Sequence, residues 1–360
     1  MKPLFPGPAS PGVSPPGPIP VLIVDDSAFM RIALRRIIEA EGDLRVVAEA
    51  ADGEAAIAAV RQHQPAVVAM DVEMPVLGGI EATRRIMALP NPPAIIMVSQ
   101  HTQADSPAAI AAIAAGASDY ISKEAGLGGL DLGHLDQALR GRLRHWARQR
   151  YPLATDLPVP RAAPKRIGPP DQAGQAPPPL ILIAASTGGP DALAALLAAS
   201  GPLPVPVLIA QHMPEGLAPE LARLLARRAG WPVCVAENGQ RVTATSATLL
   251  PTDGVLLRAL GGFALRLAPN AGAVHPSADL LFRSAALLGL AACGVVLTGM
   301  GQDGAAGAAA LAAEGGRILV QSTETSVVAG MPQAASSLVA EAEALSPEAL
   351  GLALRAMWRA

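Results

Sequence analysis

Cysteine is nearly missing: Cys234 and Cys293 are the two in a chain of 360 residues. A disulfide framework or a cysteine-ligated zinc site needs closer spacing, so both are expected as free, buried thiols of a protein kept in a reducing cytoplasm. Aromatic residues are scarce too, with three Trp, two Tyr and four Phe. Alanine and aliphatic side chains must therefore fill the cores, and helices must pack closely. The formal net charge is -3 and there is no basic stripe, which argues against a nucleic-acid partner. No apolar run approaches the ~20 residues needed to cross a bilayer. The first residues hold no continuous apolar segment of the secretory type. Direct membrane insertion is therefore not expected, and the expected location is cytoplasmic.

What is abundant is proline, and it is uneven. Residues 1–20 hold eight of the 35 prolines and residues 151–179 hold nine. Both stretches lack hydrophobic periodicity and read as extended tethers. The expected division is a proline-rich tail at 1–19, a first domain at 20–148, a linker at 149–177 and a second domain at 178–360. In the first domain, strand-like runs at 21–24, 45–48, 66–70, 94–99 and 120–122 alternate with helical stretches near 28–41, 53–63, 79–88, 106–116 and 131–149. Such alternation implies a parallel sheet covered on both faces. The second domain repeats it with runs at 180–184, 205–210, 292–297 and 317–320. Residues 232–270 there look like shorter strands and turns, a pattern that antiparallel hairpins would give. Both domains are therefore α/β.

Parallel sheets present their sites at the C-terminal strand ends. In the second domain one run ends in Ser186, followed by Thr187-Gly188-Gly189 and a helix with Pro190 at its first position. A second ends in Gln211-His212, and a third in Thr298-Gly299-Met300-Gly301-Gln302-Asp303-Gly304. A serine needs a histidine to accept its proton, and the histidine needs a carboxylate to hold its tautomer. The expected roles are Ser186 as nucleophile, His212 as general base and then acid, and Asp303 as orienter. Gly188 and Gly189 would let backbone amides approach a developing oxyanion, and the loop around Met300 could add another. The esterase chemistry needs no cofactor.

In the first domain, strand ends deliver Asp25, Asp26, Asp71, Ser99 and Lys123 to one edge. Three carboxylates packed together call for a hard cation with oxygen ligands, and Mg²⁺ suits them. A carboxylate beside such an ion can act as a nucleophile toward a phosphoryl group, whose oxygens a hydroxyl and an ammonium would then bind.

These strings resemble two families. Val24-Asp25-Asp26-Ser27, Met70-Asp71-Val72-Glu73-Met74-Pro75, Met97-Val98-Ser99 and Lys123 resemble the receiver domain of two-component response regulators. That resemblance implies a five-stranded parallel, flavodoxin-like fold and Asp71 as phospho-acceptor. It also implies Mg²⁺ on Asp25, Asp26 and Asp71 with the Glu73 carbonyl, Ser99, Tyr120 and Lys123 as the switch residues, and a histidine kinase as phosphodonor. The family usually has proline where Glu124 stands. Ala184-Ala185-Ser186-Thr187-Gly188-Gly189-Pro190, Gln211-His212-Met213-Pro214, Leu297–Ala305 and Thr325–Pro332 resemble the catalytic domain of the chemotaxis protein-glutamate methylesterases. The implied fold is a doubly wound, mostly parallel sheet with a small antiparallel hairpin insertion. The implied activity is hydrolysis of glutamyl methyl esters and deamidation of glutamines on methyl-accepting chemoreceptors, with Met300 in the oxyanion-hole loop. Ala184, Val255 and His275 depart from that family's pattern. The pairing of a switch with an enzyme suggests that the unphosphorylated first domain covers the cleft, and that phosphate on Asp71 loosens it through Ser99 and Tyr120. A non-enzymatic response regulator, whose second domain only binds a partner, is the alternative.

Overall fold

The computed structural model describes residues 17–99, 107–123, 132–150, 179–214, 216–268 and 275–358. The proline-rich tail up to residue 16, the linker from residue 151 to 178, and Glu124 lie outside the described residues.

The first block runs β1 (Ile19–Val24), α1 (Ala28–Glu39), β2 (Leu44–Ala50), α2 (Gly53–His63), β3 (Val67–Met70), α3 (Gly79–Met87), β4 (Ala94–Ser99), α4 (Pro107–Ala114), β5 (Asp119–Ser122) and α5 (Leu132–Arg150). Its sheet has the order β2-β1-β3-β4-β5, and every pairing is parallel. β3 and β4 are buried along their whole length, as continuous apolar strands covered on both faces must be. The polar residues follow at the ends: Ser27 caps α1 by accepting from Met30 N, and Asp25 and Asp71 stand where β1 and β3 stop.

The second block begins with β6 (Ile181–Ala185), α6 (Gly189–Ser200), β7 (Val207–Gln211), α7 (Ala218–Ala229), β8 (Val233–Val235) and β9 (Ala247–Leu249). A hairpin of β10 (Gly254–Ala259) and β11 (Gly262–Leu267) follows, then α8 (Ala278–Leu287), β12 (Cys293–Val296), α9 (Ala305–Ala313), β13 (Ile318–Gln321), α10 (Gly330–Leu338), β14 (Glu343–Leu345) and α11 (Pro347–Ala356). Seven strands form one sheet in the order β14-β13-β12-β6-β7-β9-β8, parallel throughout. The chain leaves the centre in one direction through β7 and in the other through β12. β6 is thus the point where the winding reverses, the usual location of an α/β site.

One expectation, on the cysteines, is corrected, and the short strands of 232–270 resolve into two kinds. Within 232–270, β8 and β9 pair in parallel and extend the main sheet, because residues 236–246 give the chain room to cross over. β10 and β11 pair antiparallel, and Arg241 adds an isolated antiparallel bridge to Ala264. The two cysteines also differ. Cys293 is buried, and burial pushes its thiol up to about 12, whereas Cys234 is exposed on the edge strand β8.

Alanine and glycine set the helix packing. A Cβ on Gly351 of α11 would overlap the carbonyl of Leu196 on α6, so these two helices meet backbone to backbone. The blocks also meet each other. α4 lies against α6 and α7, and Met300 shares one apolar cluster with Leu139, Leu143, Trp146 and Ala147 of α5.

Candidate active site

β6 and β7 pair in register, Ala185 opposite Gln211. Ser186 and His212 are therefore the next residues on neighbouring strands, whose spacing is about 4.8 Å. His212 N donates to Ala185 O at 2.9 Å, the last ladder bond. Ser186 N donates to Thr298 O at 3.0 Å, which ties the end of β6 to the loop after β12. That loop carries Asp303 back over the sheet, and His212 Nε2 lies 2.7 Å from Asp303 Oδ2.

The imidazole is thus held with its Nε2–H toward the carboxylate, which leaves Nδ1 as the acceptor. Nδ1 is buried and has no hydrogen-bond partner. Ser186 is 3% exposed and His212 5% exposed, so water has little access to either. Ser186 and His212 follow each other at adjacent strand ends, and among the described residues the Ser186 hydroxyl makes no hydrogen bond with this nitrogen.

Asp303 is held by four donors. Oδ2 also accepts from Ala278 N at 2.6 Å, and Oδ1 accepts from Asp279 N at 2.9 Å and from Ser277 Oγ at 3.1 Å. These groups form the N-terminus of α8, where the helix dipole favours a negative charge. Burial raises the Asp303 carboxyl, but the His212 bond and charge and the two helix amides outweigh it, and its pKa lies below the ordinary value. Asp253 supports the same turn by accepting from Ser277 N at 2.7 Å. Asp279 moves oppositely: burial and the neighbouring Asp303 charge raise it, against a bond from Gly307 N.

The glycines divide their work. Gly188 has φ +77, a conformation that disfavours a side chain, and a Cβ there would come within 2.6 Å of Val327. Gly189 N already donates to Ser186 O at 2.8 Å, and Gly299 N to Val328 O at 2.8 Å. Neither is free for an oxyanion, contrary to the expected use of Gly189. Thr298 Oγ1 donates to Thr187 O at 2.9 Å and accepts from Val328 N at 3.0 Å. Gln321 Oε1 accepts from Thr298 N at 2.8 Å. These two polar residues lock the turn after Ser186, the Met300 loop and the 325–328 segment together. Ala184, one of the departures, is fully buried, and its methyl fits because residue 304 is glycine: a Cβ there would be 3.1 Å away.

The motif spacing does not point to Ser277, Asp253, Thr298 and Gln321, because their contacts are long-range. Only Ser277, an N-cap type before an apolar run, carries a local signal. His275, another departure, gives its carbonyl to Met213 N at 3.2 Å and keeps a buried Nδ1 without a partner. Val255 lies half-buried on the hairpin.

At the other sheet edge, ligand oxygens of Asp25, Asp26 and Asp71 lie within 4.8 Å of one another. Lys123 Nζ sits among them, 2.8 Å from Asp25 and 2.9 Å from Asp71. Burial raises the Asp71 carboxyl more than Lys123 lowers it, and the Asp25 charge adds to the rise. Lys123 is itself raised: burial works against its charge, but the two carboxylates prevail. Ser99 is buried at the end of β4, and its carbonyl accepts from Lys123 N at 2.6 Å. Tyr120 is buried on β5, and its carbonyl accepts from Arg142 Nη1 at 3.0 Å. The donor set of hard oxygens fits Mg²⁺. Asp25, Asp26 and Asp71 would hold the ion, which would neutralise the crowded carboxylates.

Residues 181–354 match the family model described as CheB methylesterase, and residues 21–131 match that of the response regulator receiver domain. A Nocardioides sp. protein named protein-glutamate methylesterase/protein-glutamine glutaminase is 38% identical over 333 residues, 89% of this chain and 90% of its own length. One of that name from Paramagnetospirillum magneticum is 41% identical over 328 residues, 88% of this chain and 89% of its own. The crystal structure of the Thermotoga maritima CheB methylesterase catalytic domain aligns with a TM-score of 0.47 and 28% identity, covering 50% of this chain and 98% of that one.

Proposed function

The chain belongs to the protein-glutamate methylesterase/protein-glutamine glutaminase family, and from that premise we propose that it hydrolyses glutamyl methyl esters and glutamines of chemoreceptors through Ser186, His212 and Asp303, under control of phosphorylation at Asp71. The observation that carries the reading is the His212–Asp303 pair beside Ser186 with Nδ1 open. Ser186 Oγ attacks the ester carbonyl while Nδ1 takes its proton. Asp303, charged and anchored on the α8 amides, stabilises the imidazolium. The imidazolium returns the proton to the leaving methoxide, methanol departs, and the acyl group stays on Ser186. Water, deprotonated by the same nitrogen, then releases the glutamate. With glutamine the leaving group is ammonia. Because Ser186, Gly189 and Gly299 amides are engaged, the oxyanion falls to the Thr187–Gly188 turn and the Met300 loop.

Control follows from how the blocks meet. α5 covers Met300, and α4 rests on α6 and α7, so substrate reaches the cleft only when this contact opens. Asp25, Asp26 and Asp71 would hold Mg²⁺, which would supply charge neutralisation; Asp71 accepts the phosphoryl group from a histidine kinase, and Lys123 and Ser99 receive its oxygens. Tyr120 lies on β5 and bonds through Arg142 to α5, which links the acceptor edge to the covering helix. The test is methanol release from methylated chemoreceptor membranes by the intact protein, with and without phosphodonor. Stimulation in the wild type and none in Asp71→Asn is expected. Equal rates in both would remove phosphorylation control, and no methanol at all would favour the binding-only regulator.

A further inference from the structure

Gln211 is the last residue of β7 and is fully buried. An amide nitrogen carries two hydrogens, and both are used on two particular carbonyls. Nε2 donates to Ser186 O at 2.9 Å and to His212 O at 2.7 Å. Ser186 and His212 are the first residues past the paired part of β6 and β7, at the last bond of the ladder, His212 N to Ala185 O. One planar amide thus joins the backbone of the serine to that of the histidine.

The other end of the amide is unusual. Oε1 is buried and has no hydrogen-bond partner, a loss that buried acceptors rarely carry without a reason. The reverse orientation would aim this oxygen at two carbonyl oxygens, so the two bonds set the direction of the group. Gly189 supplies the room: a Cβ there would overlap Oε1 and press the amide off its carbonyls.

We propose that Gln211 is a positioning residue for the hydrolysis, setting the separation of Ser186 Oγ from His212 Nδ1 by clamping both backbones without touching substrate. The inference rests on the hydrolase reading above. A residue that merely filled space would be replaced without kinetic consequence by methionine, which has similar length and no donor.

The experiment measures kcat and KM separately for Gln211→Met and Gln211→Glu in the intact, phosphodonor-treated protein, with methylated receptor membranes as the probe and thermal midpoints recorded alongside. Gln211→Met is expected to lower kcat about 10- to 100-fold with KM nearly unchanged, the size of effect a small misalignment of reacting groups produces. Gln211→Glu keeps one donor while protonated and none when ionised. Its kcat relative to wild type should therefore fall as pH rises through the titration of that carboxyl. Wild-type kcat in Gln211→Met, or a loss that only tracks the folded fraction, would overturn the proposal. Should Gln211→Met fail to fold, the Gln211→Glu profile decides, and a pH-independent ratio to wild type overturns it. A wild-type protein that releases no methanol would defeat the hydrolase reading and this inference together; an active wild type with unaffected variants defeats the inference alone.

Discussion

Replacing Asp303 with asparagine keeps the shape of the side chain and removes the feature on which the site depends. The carboxylate accepts from four donors, two at each oxygen. An asparagine has one acceptor oxygen, so its NH₂ must face donors in either orientation. If the NH₂ takes the place of Oδ2, it confronts Ala278 N–H and forces His212 to accept at Nε2, which puts the proton on Nδ1 and disarms the base. If it takes the place of Oδ1, it confronts Asp279 N–H, and the negative charge that would stabilise the imidazolium is still gone. The tautomer effect alone lowers turnover ~10⁴-fold in hydrolases built on this constellation, or about 5 kcal/mol of barrier. One opposed buried donor pair costs about 1–3 kcal/mol of stability, which a domain of ordinary stability survives. Asp303→Asn should therefore fold, with a lowered denaturation midpoint, and lose three to four orders of magnitude in methanol release from methylated receptor membranes. Turnover within tenfold of wild type in a folded variant would refute the reasoning.

Other changes reach the site from further away. A Cβ on Gly299 would overlap Met331 Sδ and lie 2.7 Å from Ser186 Cβ, so Gly299→Ala should displace the serine and cut turnover while circular dichroism stays native; full activity would contradict this packing. Lys123→Met leaves Asp25 and Asp71 without their buried cation, which should cost about 3–5 kcal/mol in denaturant titrations, part of it restored by Mg²⁺; unchanged stability would contradict the pairing. His145 on α5 has its pKa lowered from 6.5 to about 4, chiefly by burial, with Asp119 opposing and His212, Arg148 and His275 adding to the fall. Its contribution to native stability is complete above about 6.5 and is lost as pH falls toward 4, because the opened state takes up a proton that the native state refuses. Denaturation midpoints should therefore drop between pH 7 and 5, and His145→Asn should flatten that part of the curve.

The sheets were legible because parallel strands buried on both faces leave continuous apolar runs, as in Ala94–Ser99 and Ile181–Ala185. The points where those runs stop located Asp71, Ser186 and His212 within a residue. β14 leaves no signal in the sequence, because Glu343-Ala344-Leu345 is short and mostly exposed, with no alternation. The direction of β8 and β9 is not legible, because three-residue strands do not reveal it. Within the site, the residue types were readable but not the sense of the imidazole. That sense depends on Asp303 being fastened to the start of α8, a contact spanning some 25 residues. Gln211 was visible as a letter beside His212, yet its two bonds to carbonyl oxygens exist only after β6 and β7 have paired.

The central claim, that the hydroxyl of residue 186 performs the hydrolysis, is tested most directly by methanol release from methylated chemoreceptor membranes with Ser186→Ala, using the intact phosphodonor-treated protein and wild type in parallel. Release by wild type and its loss in the variant, with folding and phosphate uptake at Asp71 retained, is the predicted result. Release at a comparable rate by the folded variant would contradict it.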